Sequence, residues 1–215
     1  MKSYIVIGLG RFGSEAARRL CELGCEVLAV DSHSDLVQQV SNEVTHAVVA
    51  DARDKEVLRS LGAASFDCAI VAIGGSLADS VLATINLKEL GVPYLVAKAH
   101  DETHRHVLQK LGADRVVIPE QENAFRLARS LSAPNVLDYI ELSSECGIIE
   151  IPAPIRWMDK SLLELNVRAK LGVTIIAVKR KGKITVSPAA QFRIRQEDIL
   201  VVLGDNYSLE AVQKL

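Results

Sequence analysis

Tyr4-Ile5-Val6-Ile7-Gly8-Leu9-Gly10-Arg11-Phe12-Gly13-Ser14-Glu15 is the stretch from which the rest of the chain is read. An apolar run of strand character, Tyr4 to Ile7, passes into three glycines spaced G-x-G-x-x-G and then directly into a helix-like segment, Ser14 to Leu23. That order predicts a strand, a tight turn and a helix N-terminus. Gly8 lets the chain turn sharply, Gly10 lets a pyrophosphate approach the backbone, and Gly13 lets helix and strand pack closely. The unpaired amides and the positive end of the helix dipole then face the phosphates. The next apolar run, Glu26 to Val30, ends in Asp31, which lies 23 residues beyond Gly8, near the spacing at which an acid takes the ribose hydroxyls.

Outward from this unit the same alternation repeats. Strands are expected over 44–50, 67–73, 93–99 and 115–118. Helices are expected over 54–61, over a long segment capped by Ser76 and closed by Gly91, over 101–111, and over 120–131. Such an order predicts an α/β fold with a doubly wound parallel sheet, whose ligand lies at the carboxyl ends of the strands. Near Ser132-Ala133-Pro134-Asn135 the alternation stops, so residues 1–134 are expected to form the nucleotide-binding domain. Residues 135–215 then form a connector, with Val136 to Leu142 helical or extended, and a small α+β module. In that module strands are expected over 147–151, 173–179, 184–186 and 198–203, a short helix over 160–165, and a terminal helix from Ser208. A module this small sits near the lower limit for an independent core, which points to oligomerisation.

Composition narrows the function. The 215 residues carry 25 basic and 27 acidic side chains, a formal charge of −2, and no Lys/Arg-rich run, which argues against a nucleic-acid partner. The four cysteines contain no C-x-x-C pair and read as reduced core residues. No apolar run approaches the ~20 residues needed to span a bilayer, so a membrane role is expected to come through a partner.

Several side chains at strand ends bear on the ligand. Arg11 adds a guanidinium at the mouth of the glycine loop, suited to phosphate oxygens beyond those the amides hold, which favours ATP or ADP over a purely dinucleotide ligand. Asp31 accepts from ribose hydroxyls and repels a 2′-phosphate, which disfavours NADP. Asp51 is placed to reach the adenine or its sugar, although an acid at a strand end is also an ordinary helix cap. Lys98 and His100 follow the fifth strand and Glu120 the sixth; a lysine there suits phosphate, and a carboxylate together with a triphosphate suits Mg²⁺ or Ca²⁺. Glu120 is equally at home in the first turn of a helix, and His104 and His106, two apart, point to different faces. Catalytic machinery is not in view: the chain has no lysine-containing phosphate loop of the G-x-x-x-x-G-K type, no G-x-S-x-G, no H-E-x-x-H, and no histidine beyond residue 106.

The loop Gly8 to Gly13 belongs to a set of matching segments: Ala29-Val30-Asp31, Thr45-His46-Ala47-Val48, Val71-Ala72-Ile73-Gly74, Leu111 to Arg115, Asn135 to Tyr139 and Leu165 to Lys170. Together they resemble the KtrA/TrkA family of potassium-uptake regulatory subunits, over nearly the whole chain. The resemblance implies two RCK domains, a Rossmann-like N-terminal one and a small C-terminal one. It further implies a cytoplasmic octameric ring assembled from dimers, peripheral to the inner face of the membrane through a potassium-transporting partner of the KtrB/TrkH type. It implies a cofactor-binding set of Gly8, Gly10, Arg11, Phe12, Gly13, Asp31, Asp51, Ala52 and Lys98, with Arg11 on a γ-phosphate across a dimer interface and Glu120 as a cation ligand. In some relatives the C-terminal domain binds cyclic di-AMP, which points here to Asn166, Arg168 and Pro188. One position departs from the pattern: Arg53 stands where the family commonly carries a small hydroxyl residue. The expectation is therefore a non-enzymatic gating subunit that senses adenine nucleotides, with an NAD(H)-dependent oxidoreductase and an NAD(H)-binding redox sensor as the alternatives.

Overall fold

In a computed structural model, which describes residues 1–132 and 137–215, the chain forms two compact units, Met1–Glu120 and Gln121–Leu215. The first is built from strands β1 (Ser3–Ile7), β2 (Glu26–Asp31), β3 (His46–Val49), β4 (Cys68–Val71), β5 (Leu95–Lys98) and β6 (Arg115–Val117). Helices α1 (Arg11–Glu22), α2 (Ser34–Val40), α3 (Lys55–Ser60), α4 (Leu77–Leu90) and α5 (Glu102–Lys110) connect them; α6 (Pro119–Ser132) follows β6, and from Gln121 onward it belongs to the second unit. The strands pair in parallel in the order β3-β2-β1-β4-β5-β6. The direction of winding reverses at β1 and β4, so a crevice opens there at the carboxyl edge of the sheet.

Alternation along the strands builds a core on each face. Ile5 and Ile7 of β1, with Leu28 and Val30 of β2, pack with Leu58, Ala83, Leu87 and Leu108 of α3, α4 and α5. Val6, Val27 and Ala29 point the other way, onto Ala17, Val37 and Val40 of α1 and α2. Helix ends follow local chemistry: Ser76 accepts from the Asp79 amide at the start of α4, Asp54 caps α3 and Asp101 caps α5. Gly91 closes α4 at φ +86°, a conformation open to glycine without strain.

The second unit is a five-stranded antiparallel sheet in the order β10-β9-β11-β8-β7. Its strands are β7 (Asp138–Glu141), β8 (Cys146–Pro152), β9 (Thr174–Arg180), β10 (Lys183–Val186) and β11 (Ile199–Asp205), and its helices are α7 (Leu162–Leu165), α8 (Val167–Leu171) and α9 (Asn206–Gln213). Ile149, Ile151, Val178, Leu200 and Val202 form its core with Trp157 and Leu209. Part of the connector expected over 136–142 is thus strand β7, paired to β8. Pairing across the sheet decides that segment, where no local pattern did. The expected boundary at 134/135 lies outside the described residues. Among the described residues no helix is long and apolar enough to cross a membrane.

Candidate functional site at the carboxyl edge of the parallel sheet

Crowding decides two of the three glycines in the turn, Gly8 and Gly13. Gly8 sits at φ +91°, with its amide on the Val30 carbonyl at 2.8 Å. A Cβ on Gly13 would fall 1.8 Å from the Gly8 carbonyl oxygen, so that position admits only glycine. Gly10 differs: a Cβ there meets nothing within 4 Å, because the loop stands open in front of it. Ser14 is the residue whose amide returns to the Gly10 carbonyl, at 2.9 Å. The amides of Arg11, Phe12 and Gly13 therefore lie in the first turn of α1, where no intrahelical acceptor exists. An open backbone cradle beneath a helix N-terminus fits a phosphate group.

A cavity of about 600 Å³ adjoins this turn, lined by Gly8, Gly10, Asp31, Asp51 and Ala52, and also by Ser32, His33, Arg53, Gly74, Gly75, Ser76 and Asp79. Asp31 is held firmly in its lining: Oδ2 accepts from the Leu9 amide at 2.7 Å, and Oδ1 accepts from the His33 amide at 2.9 Å and faces His33 Nδ1 at 3.0 Å. Burial pushes the Asp31 carboxyl up, but these donors outweigh it and hold it below the ordinary carboxylate value. It is an anchored acceptor, suited to sugar hydroxyls. Asp51 is clasped by Arg53, whose Nε donates to both carboxylate oxygens at 2.9 and 3.1 Å and whose Nη2 donates to Oδ2 at 2.7 Å; this hydrogen-bonded cation holds Asp51 below its usual range.

Lys98 and Glu120 stand together beside the cavity. Nζ donates to Glu120 Oε1 at 2.7 Å, and lies 5.9 Å from the Phe12 ring centroid. An alanine-like Cβ on Gly74, which does line the cavity, would come 3.7 Å from the same Nζ. The Lys98 ammonium keeps the Glu120 carboxyl below its usual range, with Arg11 adding to the effect. Arg11, Phe12, Gly13, Lys98 and Glu120 are thus a flank to the cavity rather than its lining. Among the described residues no group of three His, Cys, Asp or Glu side chains is arranged for a metal ion, so a cation at Glu120 would need phosphate oxygens and water for most of its shell.

Some of this lay beyond the linear pattern. His104 pairs with His100, not with His106: their Nδ1 atoms lie 2.7 Å apart, and burial with the neighbouring His100 lowers the His104 pKa. Their spacing of four residues was the available signal. The glycines and Ser76 after β4 follow from the rule that ligands lie beyond strand carboxyl ends, whereas Asp79 enters only because α4 begins over the cavity. In the second unit Asn166 occupies the left-handed region at φ 46° between α7 and α8, Arg168 is exposed on α8, and Pro188 follows Ser187, at φ 48°, beyond β10. Cys68 is buried, and burial with the nearby Asp114 pushes its thiol up to about 11. Cys21, Cys25 and Cys146 are partly exposed and free.

Comparison with known proteins agrees with this architecture. The TrkA-N domain matches residues 4–119 and the TrkA-C domain residues 147–215. Ktr system potassium uptake protein C of Bacillus subtilis (strain 168) is 45% identical over 213 residues, 99% of this chain and 96% of that protein. Ktr system potassium uptake protein A of the same organism is 46% identical over 203 residues, 94% of this chain and 91% of its own length. Among solved structures the GsuK channel superposes with a TM-score of 0.72 at 22% identity, over 100% of this chain and 39% of that one. A GsuK channel bound to NAD gives a TM-score of 0.67 at 21% identity, with the same 100% and 39% coverage. The chain spans well under half the length of these channels, and at such identity the likeness speaks for the fold.

Proposed function

This chain belongs to the TrkA-N/TrkA-C family that includes the Ktr potassium uptake proteins, and from that premise we propose that it is a non-catalytic regulatory subunit gating a membrane potassium transporter in response to adenine nucleotides. The observation that carries the reading is the 45% identity to a Ktr potassium uptake protein over 99% of the chain. The open Gly10 cradle beside an anchored Asp31 supports a nucleotide as the signal. In this reading Gly8, Gly10 and Gly13 form the phosphate loop, Asp31 takes the ribose, and Asp51 with Ala52 faces the base. Residues 1–134 act as the nucleotide lobe, and residues 135–215 as the connector and C-terminal domain. The partner is of the KtrB/TrkH type, and the chains assemble as dimers into an octameric ring at the cytoplasmic face of the membrane.

A ligand shifts a conformational equilibrium only by its differential affinity for the two states. ATP and ADP differ by one phosphoryl group, so the discriminating residues are those flanking the cavity: Arg11, Phe12 and Lys98. A further phosphate competes with Glu120 for the Lys98 ammonium, and the carboxylate so released is the one protein group proposed for Mg²⁺ or Ca²⁺, which would offset charge there. NAD or NADH is the alternative occupant, since Asp31 accepts equally from its ribose and the GsuK channel has a structure bound to NAD. An NAD(H)-linked redox sensor finds no reactive thiol in Cys68, whose raised pKa leaves it protonated at neutral pH. Cyclic di-AMP is the proposed second ligand, at Asn166, Arg168 and Pro188.

Potassium flux into vesicles carrying this protein and its transporter tests the reading. Flux should rise with a non-hydrolysable ATP analogue and fall with ADP; flux indifferent to both, or dependent on hydrolysis, would overturn it.

A further inference from the structure

Arg53 is the strongest base-end feature of the cavity that the family pattern does not explain. The sheet order β3-β2-β1 sets the glycine turn, Asp31 and Asp51 in succession along one edge. A nucleotide with its phosphates at the turn and its ribose at Asp31 therefore brings its base to Asp51 and Arg53. That loop is held in place: Asn86 of α4 donates through Nδ2 to the Arg53 carbonyl at 2.8 Å and to the Ala52 carbonyl at 3.4 Å. The guanidinium is held too, with Asp51 gripping Nε and Nη2 and Asp79 lying 3.6 Å from Nη1.

The bonds leave a particular pattern of unused groups. Asp51 Oδ1 already takes two donors, the Arg53 amide and Nε, whereas Oδ2 takes Nη2 and a longer branch of Nε. A carboxylate oxygen has room for about two good donors, so Oδ2 retains acceptor capacity, while each Nη of the guanidinium carries two protons. Acceptor and donor consequently stand side by side. With the acceptor opposite position 6 of the purine and the donor opposite N1, adenine is complementary to such a pair, because its N6 amine donates beside an N1 that accepts. In that register guanine and hypoxanthine set O6 against the Oδ2 lone pairs and an N1–H against the guanidinium donor, so the contact to Arg53 is lost as well as the one to Asp51.

We propose that Arg53, held by Asp51 and Asp79, is a specificity-determining residue that makes the base end of this cavity select adenine over 6-oxopurines. The inference rests on the nucleotide reading above and adds a residue role to it. A small hydroxyl residue at 53 would leave Asp51 as acceptor without the adjoining fork of donors. A lysine would keep the charge and lose the fork.

Calorimetric titration of ADP, IDP and GDP into the full chain and its R53S and R53K variants tests the idea. The wild type should bind ADP at least roughly tenfold more tightly than IDP or GDP, the scale of one well-formed two-point base contact. R53S should bring ADP to within about threefold of IDP, and R53K should do the same while retaining more of the affinity for all three. Binding of all three nucleotides with an ADP/IDP ratio unchanged by R53S would overturn the role of Arg53 and leave the nucleotide site standing. No binding of any of them to the wild type would overturn both. Arg53 is exposed and its backbone is ordinary, so R53S should fold, which thermal unfolding of the variant checks.

Discussion

Gly10 and Gly13 stand three residues apart in one turn and serve opposite needs. Gly13 is glycine for the fold, since a methyl there would overlap the Gly8 carbonyl at 1.8 Å. Gly10 has φ −65°, which any residue adopts, and open space where a Cβ would go. Its freedom is useful only when a ligand approaches the backbone. G10A should therefore leave the thermal unfolding temperature nearly unchanged and weaken ADP at least roughly tenfold, by filling the cradle. G13A should lower the unfolding temperature by several degrees or abolish soluble expression. Equal losses of stability in both would remove the distinction. Such a contrast is not visible in G-x-G-x-x-G itself, which lists three equivalent glycines.

At the scale of elements, the Arg180–Asp198 ion pair ties the end of β9 to the start of β11 in the antiparallel sheet of the second unit. Asp198, 1% exposed just before β11, accepts from Arg180 Nε at 2.6 Å and Nη2 at 2.8 Å, and from the Arg195 amide at 2.8 Å. Arg180, at the end of β9, also donates to the Arg193 carbonyl at 3.0 Å and stacks its guanidinium 5.0 Å from the Phe192 ring centroid. Removing the carboxylate strands a cation and an amide. Because Arg180 keeps 27% of its side chain exposed and can turn to water, D198A should cost about 3 kcal/mol, the low end for breaking a buried pair. Burial pushes the Asp198 carboxyl up, but Arg180 and the amide outweigh it and hold it below the ordinary 3.8. The resulting stability is thus present above pH ~4 and is lost as pH falls through the lower, folded value. Trp157 is the single tryptophan and is buried in this unit, so its fluorescence in urea isolates the effect. A D198A midpoint equal to wild type at neutral pH, or one whose deficit persists unchanged at pH 2, would contradict the account.

For the whole molecule, several of the exposed large apolar side chains among the described residues fall on α6 and on the segment of β7. Phe125, Leu127 and Leu131 are 49%, 59% and 74% exposed, and Leu137, Ile140 and Leu142 are each at least half exposed. Large apolar side chains concentrated in so short a span mark an interaction surface, and a second copy of the chain is the occupant that the proposed ring requires. Light scattering at micromolar concentration should find at least a dimer and, for the complete ring, an octamer. The double variant L127E/L131E should shift the population towards monomer without unfolding the parallel sheet. A monomeric wild type, with and without ATP, would rule out the ring.

Local chemistry alone determined the parallel α/β unit, because its signals are short-range. Alternating apolar runs, a glycine turn, Ser76 opening α4 and Gly91 closing it each report on a few neighbouring residues. The same reading reached Gly8, Gly10, Asp31 and Asp51 at the cavity, since strand carboxyl ends converge wherever such a sheet is wound, whereas Ala52 came from the family resemblance. Strand β7 and the pairing of Arg180 with Asp198 were decided only by the tertiary structure, for they depend on partners brought together across a sheet. The same is true of Asp79: it stands 26 residues from Arg53 in sequence, and only the packing of α4 beside the loop after β3 brings its carboxylate to the guanidinium.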